Sequence, residues 1–563
     1  MHHTTSQNLP HHLWVRESNL NPGRRHPIPH RFLFHERNFY KSITPRLTVQ
    51  NVDKPHGFLR KFSPDGQYLL AFTNDQKSLD VYHYQGIASV AELLSQQPAE
   101  CITAADHSLQ SLHIRQELFN SLFKKKYNLP IIIRSTGAAR HYLNREFSIF
   151  LDDGRYVLLA SLSGGSIFPN YLAYHQYPDL FDDTELYDYT FYLVDLRTGR
   201  ICDTYKLEHD FIVLSHNHSV SIYDRTLAIL STYRQCIELV EVDIVGAKLK
   251  RLYTVGPFGS DLDRDRIFAH IQATDISLNP CHNLPFSHLK QKILAFMYRE
   301  IMELKSPHER QLQLREFYKN FFQVERMIIL KMQLIDSDNL LLRYEKRQTQ
   351  MPLEMFVGSN VDSNINKSFK IYVFYNISQQ EVLKIYSKDS VELLQMLRNY
   401  CDDFRNVHSL QIPWHASSPS NNDFFRAAFD QALNSFSGGI AEAAARFNPT
   451  LPISAQSFST SPYLDYSLFN YDDRYISTLE RPRLNSLEPI RFWDRTTGLL
   501  KFRVFLEQPT EARPVDFELI ANPRDLVTFI FHPYEPFFIS IQKFISRYVI
   551  NFHMYNSSTI TKT

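Results

Sequence analysis

Four stretches of the chain repeat one order of apolar and polar positions: an aromatic, a run of turn-forming residues, then a second aromatic leading an apolar segment. They are Phe62-Ser-Pro-Asp-Gly-Gln-Tyr68, Phe150-Leu-Asp-Asp-Gly-Arg-Tyr156, Phe469-Asn-Tyr-Asp-Asp-Arg-Tyr475 and Phe531-His-Pro-Tyr-Glu-Pro-Phe537. Each runs on into a strand-sized stretch: Leu69–Phe72, Val157–Ala160, Ile476–Leu479 and Phe538–Ile541. Asp-Gly between apolar runs favours a hairpin, because its turn needs a residue with positive φ. A second pattern closes some of these units. Val194-Asp-Leu-Arg-Thr-Gly-Arg200 and Trp493-Asp-Arg-Thr-Thr-Gly-Leu499 each place Gly four residues after an Asp that ends a strand, and Asn376-Ile-Ser-Gln-Gln380 keeps the place without the Gly. The Asp can accept backbone N–H groups there, and Gly supplies the left-handed position. Openings and closings in matching order predict a mostly β chain built as a WD-type β-propeller of about seven blades. The expected blades lie near residues 58–84, 147–205, 209–256, 287–300 with 326–345, 369–386, 467–506 and 525–555. A pair of β-sandwiches competes with this, since sandwich strands come at similar spacing.

Three segments break the pattern. They divide the chain into an N-terminal arm (1–46), blades (47–386) with a helical insertion near 87–146, a second helical insertion (387–447) and closing blades (448–563). The arm is basic and rich in His and Pro; His11–Glu17 can form a short helix anchored by Leu13 and Trp14, ended by Pro22, Pro27 and Pro29. It reads either as a docking arm or as a plain disordered tail. In the first insertion Ile114, Leu118, Phe119, Leu122 and Phe123 recur at helical spacing. Lys124-Lys-Lys-Tyr127 follows, read as the solvated last turn of that helix or as a nuclear-import signal. In the second insertion Asp389 and Glu392 predict a capping box before Leu393, Leu394, Met396, Leu397, Tyr400 and Phe404. Further helices are expected near 423–434 and at Ala441–Arg446. These helices either cap the sheets or form a partner platform.

Composition narrows the function. With 563 residues the chain exceeds one hydrophobic core, and 43% hydrophobic against 21% charged residues is enough to bury several. Aromatics at 13% favour strands. A net charge of +1 supplies no global field for nucleic acid or anionic membrane. Five cysteines without a CxxC pair argue against a disulfide framework or a cysteine zinc site and for a reducing compartment, nuclear or cytoplasmic. No apolar run is long enough for a bilayer helix, and none is of signal-peptide type. Catalytic patterns are missing: no phosphate loop, and no Gly-x-Ser-x-Gly elbow around Ser161-Leu-Ser-Gly-Gly-Ser166. His216 and His218 stand without further spaced ligands, while Asp152-Asp153 and Asp472-Asp473 belong to the repeat turns. A non-enzymatic protein without cofactor or metal is expected.

Longer literal runs carry a resemblance. Phe58–Gly66, His113-Ile-Arg115 with Leu118-Phe119, Thr198-Gly-Arg200 with Cys202-Asp-Thr204, Val213–Asn217 and Lys331–Leu334 make up its first half. Leu451–Ser457, Ser461–Asp465, Ile490-Arg-Phe492, Gly498–Phe502, Phe531-His-Pro533 and Val549–Met554 continue it. On these residues the chain closely resembles the De-etiolated-1 family of light-signalling regulators from about residue 31 onward. The resemblance implies a nuclear, WD-type propeller scaffold of cullin-four RING ubiquitin ligases, linked to transcriptional repression. It implies as partners the damaged-DNA-binding scaffold protein, a small De-etiolated-associated protein, the constitutive-photomorphogenesis RING ligase and a ubiquitin-conjugating enzyme. The arm through Arg37 is then the element that enters the larger scaffold. The expected partner contacts are Leu13, Trp14, Arg16, Arg31, Phe32 and Phe34 in the arm, with Leu118, Phe119, Leu394 and Leu397 in the insertions. A chromatin-associated propeller reading histone tails is the alternative; it needs an acidic, aromatic-lined pocket, whereas an adaptor needs an arm and flat apolar patches.

Overall fold

One side-chain-capped turn recurs in four sheets and converts the sequence repeat into a structural one. Asp195 Oδ1 accepts from the backbone N–H of Arg197 (2.8 Å) and Thr198 (3.4 Å), and Gly199 follows at φ 66°. Asp494 Oδ1 does the same for Thr496 (2.8 Å) and Thr497 (3.1 Å) before Gly498 at φ 68°. Asn376 Oδ1 accepts from Gln379 N (2.7 Å), and Gln380 itself takes φ 54°. A fourth copy, at Asp243, binds the N–H groups of Val245 and Gly246 (3.0 Å each) ahead of Ala247 at φ 50°. In each, the carboxylate or amide oxygen takes over N–H groups that the tight turn leaves unpaired.

The computed structural model describes residues 39–95, 100–132, 141–151, 154–166, 186–256, 288–325, 327–346, 370–404, 439–453, 459, 461–466, 468–507, 526–543 and 548–555. The chain is mostly β, in several sheets that are antiparallel except for one parallel pair, and falls into two compact units.

Unit 1 comprises residues 1–130, 411–427 and 457–563. Its sheet 1 runs in chain order through Phe58–Phe62, Tyr68–Phe72, Ser78–Tyr84 and Phe123–Pro130. Sheet 2 holds Phe469–Asn470, Ile490–Asp494 and Leu500–Val504. Sheet 3 is ordered Arg483–Leu484, Leu526–Phe531, Phe537–Lys543, Tyr548–Met554, Leu47–Val49, Cys101–Ile102. The first described strand thus pairs antiparallel with the last described one, Leu47 opposite Met554 and Val49 opposite Phe552. The strand Phe537–Lys543 is buried on both faces from Phe537 to Ser540, three apolar residues and a serine whose hydroxyl is satisfied by His553. Helix α1 (Leu109–Leu122), N-capped by Ser108, stands between the third and fourth strands of sheet 1.

Unit 2 comprises residues 131–410 and 428–456. Sheet 4 contains His141–Leu143, Ile149–Leu151, Tyr156–Ser166, Leu186–Asp195 and Arg200–Asp210. Sheet 5 contains Val220–Tyr223, Thr226–Ser231, Cys236–Asp243 and Lys248–Val255. Sheet 6 contains Met327–Leu334, Asn339–Lys346, Lys370–Asn376 and Glu381–Ser387. The helices α2 (His288–Met302) and α3 (Pro307–Glu325) form a hairpin whose Leu289, Ile293 and Phe321 join the buried cluster shared by sheets 5 and 6. Helices α4 (Val391–Asn399) and α5 (Gly439–Phe447) pack together through Leu394, Ala443 and Ala444.

Several expectations change. The segment expected as strand at 287–300 is helix α2 from His288 onward; its apolar positions fit a helical stripe as well as a buried strand. The segments 326–345 and 369–386 pair into one sheet rather than two blades, so the described residues form six sheets, not seven. Ile476–Leu479 is not a strand: Tyr475 and Ile476 N–H turn back onto Asp472 O, and Ile476 is buried from a turn. Lys124–Lys126 is not the last turn of a helix but lies in the outer strand of sheet 1. The cap of α4 is Ser390, whose Oγ accepts from Leu393 N, while Glu392 instead accepts from Tyr386 OH at 3.3 Å. The helix expected near 423–434 lies outside the described residues.

Candidate interaction surfaces

Leu13, Trp14, Arg16, Arg31, Phe32 and Phe34 lie outside the described residues. Immediately after them the chain is anchored on sheet 2. Tyr40 packs edge-on against Tyr463, whose OH donates to Ile43 O at 2.6 Å, and Lys41 Nζ reaches Thr496 Oγ1 (2.7 Å) and Asp494 Oδ1 (3.4 Å). An arm leaving from Phe39 therefore starts at the Asp494 turn.

The other four expected contacts are packing residues. Leu118 and Phe119 are 0% and 1% exposed in the core between sheets 1 and 3, Phe119 against Tyr82 and Phe123. Leu394 and Leu397 are 2% and 1% exposed. Side chains so buried cannot meet a partner, and the helical stripe that suggested contact is the one that faces the core. The first insertion clasps the terminal strand. Glu100 O and Ile102 O accept from Thr48 N (2.9 Å) and Gln50 N (3.0 Å), and Asp53 N donates to Arg115 O. The segment just after the second insertion holds it to sheet 6: Asn448 Nδ2 donates to Lys388 O (2.9 Å) and Ser390 O (2.8 Å), and Arg343 Nη1 to Pro449 O and Leu451 O (3.0 Å each).

In unit 2 a cleft of about 570 Å³ is lined by Arg234, Cys236, Glu238, Arg251, Tyr253 and Tyr375, with Gly256 and Gln380 at its rim. Glu238 is its one carboxylate, and the second guanidinium, Arg234, lies 4.0 Å from Asp210 Oδ2 outside the lining. Arg251 Nε donates to Glu238 Oε2 at 2.9 Å, Thr254 Oγ1 donates to Glu238 Oε1 at 2.7 Å, and Arg234 Nη2 donates to Glu208 O at 2.8 Å. Burial pushes the Cys236 thiol up to about 12, so it stays protonated and is no nucleophile at neutral pH. The cleft can bind but carries no activated group. Sequence reasoning missed it because cross-strand pairs such as Glu238–Arg251 have no local signature.

Ser161 does meet a histidine: its Oγ lies 3.0 Å from His141 Nε2 and 3.0 Å from Tyr192 OH. Ser161 is fully buried between neighbouring strands, where no substrate can reach it, so this is a cross-strand polar tie rather than an active serine. His216 and His218 lie with ring centroids 5.9 Å apart, and no set of three or more His, Cys, Asp or Glu able to hold a metal occurs among the described residues. Two buried histidines brace unit 1. His532 Nδ1 accepts from Tyr534 N (3.2 Å) and Glu535 N (2.9 Å) with Nε2 against Gly66 O, coupling the opening turns of sheets 3 and 1. His553 bridges Thr48 Oγ1 (3.0 Å) and Ser540 Oγ (2.9 Å). Burial lowers them to about 4 and about 3, which keeps both rings neutral.

The profile of the family described as De-etiolated protein 1 Det1 matches residues 145–556. "Light-mediated development protein DET1" of Arabidopsis thaliana is 26% identical over 567 residues, covering 94% of this chain and 96% of its own. The protein of that name from Solanum lycopersicum is 26% identical over 548 residues at the same coverage. Among solved structures, a luciferin-regenerating enzyme aligns over 60% of this chain and 64% of its own, with 7% identity and a TM-score of 0.24.

Proposed function

Because the chain belongs to the De-etiolated protein 1 family, we propose that it is a non-catalytic adaptor that holds other proteins together in a cullin-four RING ubiquitin ligase. One observation carries this reading: the buried Ser161, His532 and His553 are tied into hydrogen bonds between strands and turns, while the last strands of sheets 4 and 5 stay largely exposed. Arg200–Asp210 and Lys248–Val255, the last strands of sheets 4 and 5, are exposed at most positions and offer surface rather than a site. Each meander of antiparallel strands is, on this reading, one blade of a WD-type propeller, and the arm before Phe39 is the entry into the damaged-DNA-binding scaffold protein. The small De-etiolated-associated protein, the constitutive-photomorphogenesis RING ligase and a ubiquitin-conjugating enzyme complete the assembly, in the nucleus, in the service of transcriptional repression.

The test is affinity purification of the tagged full chain and of a chain lacking residues 1–37, with co-purifying proteins identified. The expected result is recovery of the ligase subunits with the full chain and loss of the scaffold protein with the truncated one. Recovery of the scaffold with both, or with neither while the chain is folded, overturns the proposal.

A further inference from the structure

The Lys124–Lys126 run, assigned from the sequence to a helix end, lies in the outermost described strand of sheet 1, Phe123–Pro130. Its three lysines do not share a role. Lys125 turns to the face of Tyr82 and forms an ion pair with Asp80 Oδ1 at 2.9 Å, where Asn128 Nδ2 also donates to Asp80. Lys124, paired with His83, and Lys126 project to the opposite face. Lys126 Nζ donates to Tyr68 OH at 2.9 Å and sits 4.4 Å from that ring's centroid, and Tyr68 packs edge-on against His83 at 5.7 Å. This face therefore presents Lys124, Lys126, Tyr68 and His83 as one strip, both lysines exposed. The nearby carboxylates are engaged elsewhere: Asp80 on the other face, Asp65 by Ser63 Oγ and Gln67 N, Glu535 by Tyr84 OH. The strip itself carries two lysines and no carboxylate, and one of the lysines is pre-positioned by an aromatic ring.

We propose that this strip is a docking surface for an acidic, extended peptide segment of a partner protein. Alternate side chains on such a segment stand about 7 Å apart, so carboxylates at every second residue can meet Lys124 and Lys126 together. The pairing register shifts between Val81 and Tyr82, leaving Lys126 as the extra residue. A bulge of this kind breaks the even edge that strand addition needs, so the segment is held by side chains and not as a further strand. The surface is independent of which assembly the chain enters, and its chemistry is opposite to that of a basic histone-tail site.

The test uses the full chain and a synthetic peptide of about twelve residues alternating Glu and Ser. Parallel arms carry a Lys/Ser peptide and a carboxylate-free phosphoserine peptide, all followed by titration calorimetry. The expected results are binding of the Glu/Ser peptide alone, weakened by raising salt from about 50 to about 200 mM. K124E/K126E should lose at least about tenfold in affinity, with the milder K124Q/K126Q in between. Lack of Glu/Ser binding by the native chain, equal affinity of the variants, or tighter binding of the phosphoserine peptide overturns the proposal. So does a charge-reversed chain that aggregates while K124Q/K126Q keeps full affinity, since the lysines would then only protect a sheet edge.

Discussion

Acid should unlock unit 1 before unit 2, and the two buried histidines set the size of the effect. In the unfolded chain a histidine takes up its proton near pH 6.5, whereas in the folded unit His532 does so only near 4 and His553 only near 3. Both folded values are depressed, so their contribution is fully present above pH 6.5 and is lost as pH falls toward the folded values. At pH 4.5 each has withdrawn between about 2 and 3 kcal/mol, about 5 kcal/mol together, comparable with the whole stability of many domains. Both rings sit on sheet 3, His553 at the junction with the Leu47–Val49 strand and His532 against the sheet 1 turn. The assay equilibrates the full chain in denaturant at a series of pH values, then applies hydrogen–deuterium labelling in a short pulse at one fixed pH. Peptides covering 537–554 should lose protection steeply between pH 6.5 and 4.5, with a slope approaching about 2.8 kcal/mol per pH unit for two protons. Peptides from Thr226–Val255 should lag behind. His553→Gln, which keeps a donor and an acceptor between Thr48 and Ser540, should cut the slope by about half. An unchanged slope in that variant, or equal loss in both units, would refute the reasoning.

Three further outcomes follow from the packing. Phe469→Ala and Phe531→Ala should each destabilise unit 1 by about 3–5 kcal/mol in denaturant melts; Phe469 is fully buried against Tyr463, Phe492 and Phe502, and Phe531 stacks on Phe538 at 4.5 Å. Asp494→Ala should cost about 1–2 kcal/mol by stranding the N–H groups of Thr496 and Thr497 and releasing Lys41, whereas Thr497→Ala, which leaves the cap intact, should cost under about 0.5 kcal/mol. Gly498→Ala should cost about 1 kcal/mol through its φ of 68° alone, because an added Cβ meets nothing within 4 Å; no change in melting would mean the turn relaxes.

The sequence displayed the repeat where chemistry marks it. Asp195–Gly199, Asn376–Gln380 and Asp494–Gly498 could be found because an Asx residue and a left-handed position four residues on are local requirements of one turn. In the Asp243 copy Gly246 stands one place early and Ala247 takes the left-handed position, so the glycine spacing that marks the Asp195 and Asp494 turns is absent. Helices α2 and α3 went unseen because His288–Met302 mixes Leu, Ile and Phe in a run that strand and helix periodicity both accept. The sites were least legible. Leu118, Phe119, Leu394 and Leu397 are conspicuous in the sequence for the reason that disqualifies them, a stripe that faces its own core. Lys124–Lys126 was visible as a charge run, but only the register of its strand shows which lysines share a face.

The insertions take on a different meaning from that register. Both were candidates for elements that project from the sheets, yet each returns its backbone to the sheet it interrupts or to the neighbouring one. Residues 100–102 lie parallel to Leu47–Val49, so this strand is held from both sides, by Phe552–Met554 and by the insertion. A strand of three residues is short by any standard, and paired on one edge alone it would fray. Clasped on both, with Thr48 and His553 hydrogen-bonded beneath it, it can resist a pull on the arm that precedes it. That is what the proposed adaptor, if loaded through its N-terminal arm, requires. It places the strength of the connection in the insertion rather than in the arm.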